Sequence, residues 1–442
     1  MAPRSSDRLL PFYLVLGAAV VGAAALRLPD LGRRPMHHDE ANQAVRCRKL
    51  LQDGHYRYDP REHHGPTLYY FSLIPAWLTA GTDFAQTTEF TFRIVPLVFG
   101  IAILCLLPLI RDGLGSGATA AAAVLTAVSP AMVYYSRFFI QEMLLVFFTF
   151  AAIAAGWRYV RTRCPGWAAA VGLSLAFMHA TKETCVIAVA CMAAGLVACA
   201  LCYPDRTRDI LSDARWWHAG VAAGAGLVVW ATFYSSFFTH PAGLLDSVRT
   251  YAYYLTQAGG EGTHVHPWYF YLQRLAWFHE VMGPVWSEAF ILVLSAGGAW
   301  AAFSRRSGVA GPLPRFLAVY ALLMVAAYSA IPYKTPWSFL SALHGLILLA
   351  GLGAAAAWKM VGPRWWARGA VGLVLLAGAA HLGWQAHRAT IRRFRASPKN
   401  PYAYAHTQNT FMNLVERIEQ LARVHPQGKK MLIKVVAAPQ NT

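Results

Sequence analysis

The sequence predicts an all-α polytopic membrane protein, and three observations carry that expectation. Of its 442 residues, 56% are hydrophobic and only 14% are charged, against about 25% charged in soluble domains. Apolar runs long enough to cross a hydrocarbon core of about 30 Å recur along most of the chain. Arg and Lys gather in alternate short loops between those runs, the distribution that orients a membrane protein.

The first run, 9–28, is too long for a cleavable leader, and no small-residue cleavage site follows it. Further runs lie at 92–110, 117–135, 138–157, 166–181, 184–203, 216–239, 284–303, 315–331, 337–358 and 369–386. Thr67 to Ala80 is apolar but short, and it suits a juxtamembrane or re-entrant helix. One set of loops holds Arg111, Arg158, Arg161, Arg163, Arg206, Arg208, Arg215, Arg305, Arg306, Arg315, Lys359, Arg364 and Arg368. The alternate short loops hold only Arg137, Lys182 and Lys334. The cation-rich set is then cytoplasmic and about eleven spans result, with a first extracytoplasmic loop over 29–91. Arg27, Arg33 and Arg34 run against this bias, as do Arg388, Arg392, Arg393 and Arg395 after the last run. A transmembrane domain over 1–386 is expected, with an extracytoplasmic tail over 387–442 that begins a small α/β domain. In that tail Thr407 to Val424 reads as an amphipathic helix and Met431 to Val436 as a strand.

The net charge of +18 on a soluble protein would suggest nucleic acid. Its confinement to short loops assigns it to membrane orientation and lipid headgroups instead. Most cysteines lie in apolar runs, where Cys is a small hydrophobe. Cys47 alone looks exposed on the outer side, so no disulfide framework is expected.

Candidate chemistry gathers at the outer ends of the runs. The 29–91 loop carries His37-His38-Asp39-Glu40, then a helical pattern, then Glu62-His63-His64-Gly65-Pro66. An acid here can be a helix cap or a reactive group. Arg137 and Glu142 open a later run, where a carboxylate must be paired or face a wet cavity. Arg137 is itself a possible partner. Lys182 and Glu183 join two runs with almost no loop, so Lys182 either snorkels or holds an anion such as a lipid phosphate. Tyr333 and Lys334 sit between two prolines, in a stretch that can equally be an interfacial belt. His63 and His266 are candidate ligands for a divalent metal ion, without a ligand spacing that names one.

These residues together resemble the GT-C superfamily of polyprenyl-phosphate-sugar glycosyltransferases, which includes protein O-mannosyltransferases and aminoarabinose transferases. The resemblance runs through Asp39-Glu40, the Gly65-Pro66-x-Leu68-Tyr69-Tyr70 stretch, Phe92 to Pro96, Ser129-Pro130, Arg137 to Glu142, and Thr181-Lys182. His37 to Ala41, Lys182-Glu183 and Ile331 to Trp337 look most similar to a prokaryotic, glycosylation-linked subgroup described as associated with flippase activity.

The resemblance implies a GT-C-like bundle in a prokaryotic cytoplasmic membrane, its site on the extracytoplasmic face. It implies inverting transfer of a sugar from a polyprenyl-phosphate donor to a hydroxyl on a protein, lipid or glycan. Asp39 would be the general base and Glu142 the second acid. Glu40, Arg137, Lys182, His64, Tyr333 and Lys334 would contact substrate or phosphate. Relatives with an acid-Lys-Pro-Pro run differ from His63-His64-Gly65-Pro66 here, so imidazoles would do that work. The competing class is a transporter or a lipid-linked-sugar flippase component, which would favour internal repeats and midplane charges; neither is visible.

Overall fold

The computed structural model describes residues 9–62, 64–257 and 264–434. α1 (Leu10–Arg27) leads into two helices of the first long loop, α2 (His38–Asp53) and α3 (Thr67–Ala80). α4 (Glu89–Leu106) continues through a tighter turn into α5 (Arg111–Leu114). α6 (Ser116–Val128) is separated from α7 (Pro130–Tyr135) at Ser129. α8 (Glu142–Thr162), α9 (Pro165–His179), α10 (Cys185–Cys202), the polar surface helix α11 (Pro204–Ser212) and α12 (Trp216–Tyr234) follow. The second long loop holds α13 (Ala242–Gln257) and α14 (Phe270–Ala276). The bundle is completed by α15 (Ala289–Phe303), α16 (Pro312–Ala330), α17 (Leu340–Met360) and α18 (Trp365–Thr390), and α19 (Thr410–Val424) ends the described helices.

This is an integral membrane protein. Among the described residues, seven helical stretches are long and apolar enough to cross a bilayer, including Glu89–Leu114 and Pro336–Met360. Each of the eleven expected runs falls on helix, but several of those helices are short. The 117–135 run is two helices, because Pro130 lacks the N–H that would continue α6 and is placed at the first position of α7. Among the described residues two isolated bridges, Val265 with Tyr333 and Phe278 with Trp286, are the β-structure.

α17 is the axis of the bundle, with 94% of its apolar window buried. It packs on α15, α6, α16 and α8. The α15–α17 contact is very close: a Cβ on Gly298 would lie 1.8 Å from the Leu349 carbonyl oxygen, and one on Gly353 would lie 2.0 Å from that of Leu294. Helices in lipid have little hydrophobic drive to associate, so close backbone approach through small residues supplies the dispersion contact instead.

Two of the charges that ran against the orientation bias, Arg27 and Arg34, are explained by burial, whereas Arg33, Arg392 and Arg393 are exposed. Arg27 is fully buried and donates to the carbonyls of Ala127 (2.8 Å) and Thr126 (3.1 Å) and to Ser136 Oγ (3.1 Å). It closes the open C-terminal end of α6 at the helix break. Arg34 is likewise internal, so neither meets a lipid headgroup. Cys47 is also fully buried, contrary to its expected exposure, because it lies on the inner face of α2 against α3.

After α18 the chain doubles back over the loop end of the bundle. Tyr134 and Tyr135 donate their hydroxyls to the carbonyls of Arg395 (2.9 Å) and Tyr402 (3.0 Å). Arg274 donates to the Pro401 carbonyl (2.6 Å) and Trp286 Nε1 to that of Lys399 (2.7 Å). The buried Glu288 carboxylate accepts from Ser129 Oγ, the Ala131 N–H (3.0 Å) and Tyr402 OH (2.7 Å). Residues 395–406 are thus part of the bundle's surface. The C-terminal end of α18 lies at the same end as the 29–88 loop. α19 buries none of its residues and exposes Phe411, Leu414 and Leu421. Residues 431–434, expected to start a strand, have no regular structure, and 435–436 lie outside the described residues.

Gly298→Ala is expected to lower stability by about 1–3 kcal/mol through overpacking. Gly297→Ala, where an added Cβ meets nothing within 4 Å, should leave it unchanged. Thermal unfolding of the detergent-solubilised protein separates the two, and equal shifts would show that the α15–α17 contact is not limiting.

Candidate active site

α2 begins at His37, whose Nδ1 accepts the Asp39 N–H (3.0 Å), while the Glu40 carboxylate accepts the His37 N–H (3.0 Å). The cap is therefore His37, and the reading of Asp39 as a helix cap does not hold. Glu40 is fully buried. It takes a two-pronged contact from Arg93 (Nε 2.8 Å, Nη2 2.9 Å), a third donor from Arg34 Nη2 (3.2 Å) and the Phe139 N–H (2.9 Å). Burial alone would raise this carboxyl's pKa; the two guanidinium groups outweigh it and hold it well below the usual carboxylate range. Arg93 gives its remaining donors to the carbonyls of Leu31, Arg34 and Pro35. Glu40, expected to contact substrate, is instead enclosed in the scaffold, joining α2 to α4 and to the 136–141 turn.

Asp39 is the outward member of the pair. Its side chain is 39% exposed, with one carboxylate oxygen 3.8 Å from His37 Nδ1. Glu142, at the start of α8, pairs with Lys182, and both side chains are almost wholly buried. Glu142 thus answers to Lys182 rather than to Arg137, and Lys182 does not snorkel. Burial would lower the Lys182 pKa; Glu142 outweighs it and raises it, so the ammonium stays charged. The half-exposed Tyr333 hydroxyl feels the charges of Lys182, Asp39 and Glu142, though burial comes first in raising its pKa.

The 180–183 turn that carries Lys182 is held by the first loop. Thr67 donates its N–H to the Ala180 carbonyl (3.1 Å), and its hydroxyl meets that of Thr181 (2.9 Å). A Cβ on Gly65 would lie 2.1 Å from the Ala180 carbonyl oxygen, so glycine alone permits this docking. His64 Nδ1 lies 2.8 Å from Glu183 and 3.0 Å from Tyr254 OH. Burial would raise the Glu183 pKa, and the His64 contact instead lowers it. His64 therefore supports the turn that carries Lys182.

The remaining expected residues divide. Lys334 donates to the carbonyls of His266 (3.1 Å) and Ile331, which ties the 264–266 segment to the 331–334 turn. Arg137 is buried, with one contact to the Leu26 carbonyl (3.4 Å) and no ion pair among the described residues. Burial, then Arg34, lowers its pKa to about 9. His266 stacks on Phe270 and places Nε2 2.9 Å from Tyr404 OH. His63 lies outside the described residues. Among those described, no three His, Cys, Asp or Glu side chains gather as a metal would require. The donor set around His266, whose Nε2 is engaged by Tyr404 OH, does not fit a divalent ion.

Sequence reasoning named Arg93 and Glu183 only within motifs and gave neither a role, and it missed the whole tail contribution of Tyr402, Tyr404 and His406. The tail's one signal was its run of aromatics, Tyr402-Ala403-Tyr404, which a hydropathy reading passes over.

A family model for dolichyl-phosphate-mannose-protein mannosyltransferase matches residues 72–234. No curated protein sequence matches the chain. Among solved structures, the oligosaccharyltransferase AglB from Archaeoglobus fulgidus, in complex with an inhibitory peptide and a dolichol-phosphate, superposes with a TM-score of 0.62 at 15% identity, over 95% of this chain and 58% of that one. ArnT from Cupriavidus metallidurans, bound to undecaprenyl phosphate, gives 0.57 at 18% identity, over 94% and 71%. The fold is that of the GT-C superfamily. A further structure of the archaeal enzyme is a complex with Zn and sulfate, with a TM-score of 0.57 at 16% identity over 94% and 56%. The chain spans just under three-fifths of the archaeal enzyme's length, and the GT-C likeness at these identities concerns the fold.

Glu40→Gln should cost about 3–5 kcal/mol, because two buried guanidinium groups lose their anion. Since the folded-state pKa of Glu40 is lowered, its contribution is full above the unfolded carboxyl's pKa of about 4.3 and is lost as pH falls below that. Acid unfolding of wild type and variant would show it: the wild-type advantage should narrow only below about pH 4, and an advantage independent of pH down to 2 would contradict the ion pair.

Proposed function

We propose that this protein transfers a sugar from a polyprenyl-phosphate donor to a hydroxyl acceptor, with inversion, on the extracytoplasmic face of the membrane. The observation that carries the reading is the buried Glu142–Lys182 pair at the same end of the bundle as the solvent-accessible Asp39, with Tyr333 feeling the charges of all three. An acid accessible to solvent stands at the same end as an ammonium that Glu142 keeps charged against the effect of burial.

The chemistry follows from that pairing. The acceptor hydroxyl attacks the anomeric carbon from the face opposite the phosphate, and its proton passes to Asp39. The bond between the anomeric carbon and the phosphate oxygen breaks, and its electron pair leaves with the lipid phosphate. Lys182 faces that developing charge, in a site partly closed to water where a fixed cation acts strongly. Arg137, a buried cation with no carboxylate of its own among the described residues, is the second candidate for the phosphate. Tyr333 orients the sugar or phosphate between them. Glu142 holds Lys182 in place. The polyprenyl tail lies among the lipid-facing helices, which is why the reaction belongs at the membrane boundary. The mannosyl-donor family match and the lipid phosphates bound to the two GT-C neighbours support a lipid-linked donor.

The test is release of polyprenyl phosphate from a panel of synthetic polyprenyl-phosphate sugars by the full chain in proteoliposomes, supplied with peptide, lipid and glycan acceptors. Asp39→Asn should lower turnover by about 10²–10⁴-fold, the usual worth of a general base. Full turnover in the variant would remove Asp39 from the role, and no release with any donor and acceptor would overturn the transferase reading.

A further inference from the structure

The tail residue His406 stands against His37, and the hydrogen-bond partners of the two rings fix where their protons are. His37 Nδ1 accepts the Asp39 N–H, so in the neutral ring the proton sits on Nε2. His406 Nδ1 lies 2.9 Å from the Thr407 carbonyl oxygen. A carbonyl only accepts, so Nδ1 of His406 carries the proton and its Nε2 is a bare acceptor. Both Nε2 atoms are buried and have no hydrogen-bond partner. The ring centroids are 5.5 Å apart at 70°. One unsatisfied donor and one unsatisfied acceptor thus belong to neighbouring rings that both pack against Phe138, with Trp337 against His37.

We propose that His406 is a positioning residue for the reaction: through one bridging water it accepts the His37 Nε2–H, which fixes the tautomer whose bare Nδ1 anchors the start of α2, and its ring covers His37 so that burial keeps the imidazole neutral and leaves the Asp39 carboxylate free. The proposal rests on the reading of Asp39 as the base.

The alternative state of His37 shows what the lock prevents. A proton on Nδ1 would evict the Asp39 N–H, open the first turn of α2, and turn an N–H toward the Asp39 oxygen now 3.8 Å away. The base would then be an ion-pair partner. The groups facing His37 are Asp39, Glu40, Arg34 and His38, and those facing His406 are Arg34, Glu40 and His37. Burial comes first in holding both rings below the ordinary imidazole value, His406 at about 3. His406 therefore stays an acceptor throughout the working pH range. The arrangement is a lock, not a proton wire, because passing a proton onward would leave a buried imidazolium beside Arg34.

Removing His406 also removes the cover over His37. In His406→Ala, His37 should titrate near the ordinary value of about 6.5, making it roughly three-quarters protonated at pH 6. Turnover at pH 6 should then fall about fourfold relative to pH 8, while the wild type stays flat over that range. His406→Gln, which offers a donor to Thr407 and an acceptor to His37, should restore the flat profile. Two readouts on the full chain decide it: the pH profile of polyprenyl-phosphate release, and the 15N resonances of His37, assigned by difference against His37→Gln. The expected result is a His37 ring that resists titration in wild type and His406→Gln and titrates in His406→Ala, with unfolding temperatures unchanged.

A His37 resonance that titrates identically with and without His406 would overturn the lock, whatever the activity. A lock seen by resonance with no shift in the rate profile would overturn its link to Asp39. A lock with no turnover in any variant or wild type would instead overturn the transferase reading on which that link depends.

Discussion

Everything at the loop end of this bundle depends on one buried anion. Glu40 collects two guanidinium groups and two backbone N–H donors while itself fully buried. A charge in such a place is tolerable only when nearly every lone pair is used. Satisfying it brings the start of α2, the start of α4 and the 136–141 turn to a single point. The knot also fixes the rotation of α2. Successive residues on a helix are about 100° apart, so turning Glu40 inward turns Asp39 toward the opening. Two adjacent acids thereby acquire opposite roles, one holding the scaffold and the other exposed to solvent.

The same logic recurs on a smaller scale around the candidate site. Glu142 and Lys182 neutralise each other, Glu183 is answered by His64 and Tyr58, and Glu288 is held by hydroxyls and an N–H. Each of these carboxylates ties together segments far apart in the chain. Of the acids placed at the candidate site, Asp39 is the one with substantial exposure and no hydrogen bond through its side chain. In a lipid-bounded protein, where unpaired charge is costly, an acid left in that condition is a functional signal.

The tail adds a further level of control. By crossing over the loop end it covers His37 with His406 and brings Tyr402 to Glu288 and Tyr404 to His264 and His266. It is therefore structural cover for the site as well as the path toward the exposed helix α19.

The alternation of apolar runs with cation-rich loops was enough to determine a helical membrane protein, because a chain in hydrocarbon must satisfy its backbone within each segment. The same local physics placed a short helix at Thr67 to Ala80 and an amphipathic helix ending at Val424, and the cluster of motifs named the GT-C fold. What the sequence could not decide was which side chains answer which. Arg27 and Arg34 read as interfacial charges and Cys47 as an exposed thiol until packing buried them. Glu40 and Asp39 are indistinguishable as neighbours in a string. Lys182 had several conceivable partners, and His406 lies 369 positions from His37, since 406 − 37 = 369. Local propensity and hydropathy act over a few residues, whereas an ion pair or a covered imidazole is settled by groups that only the folded bundle brings together.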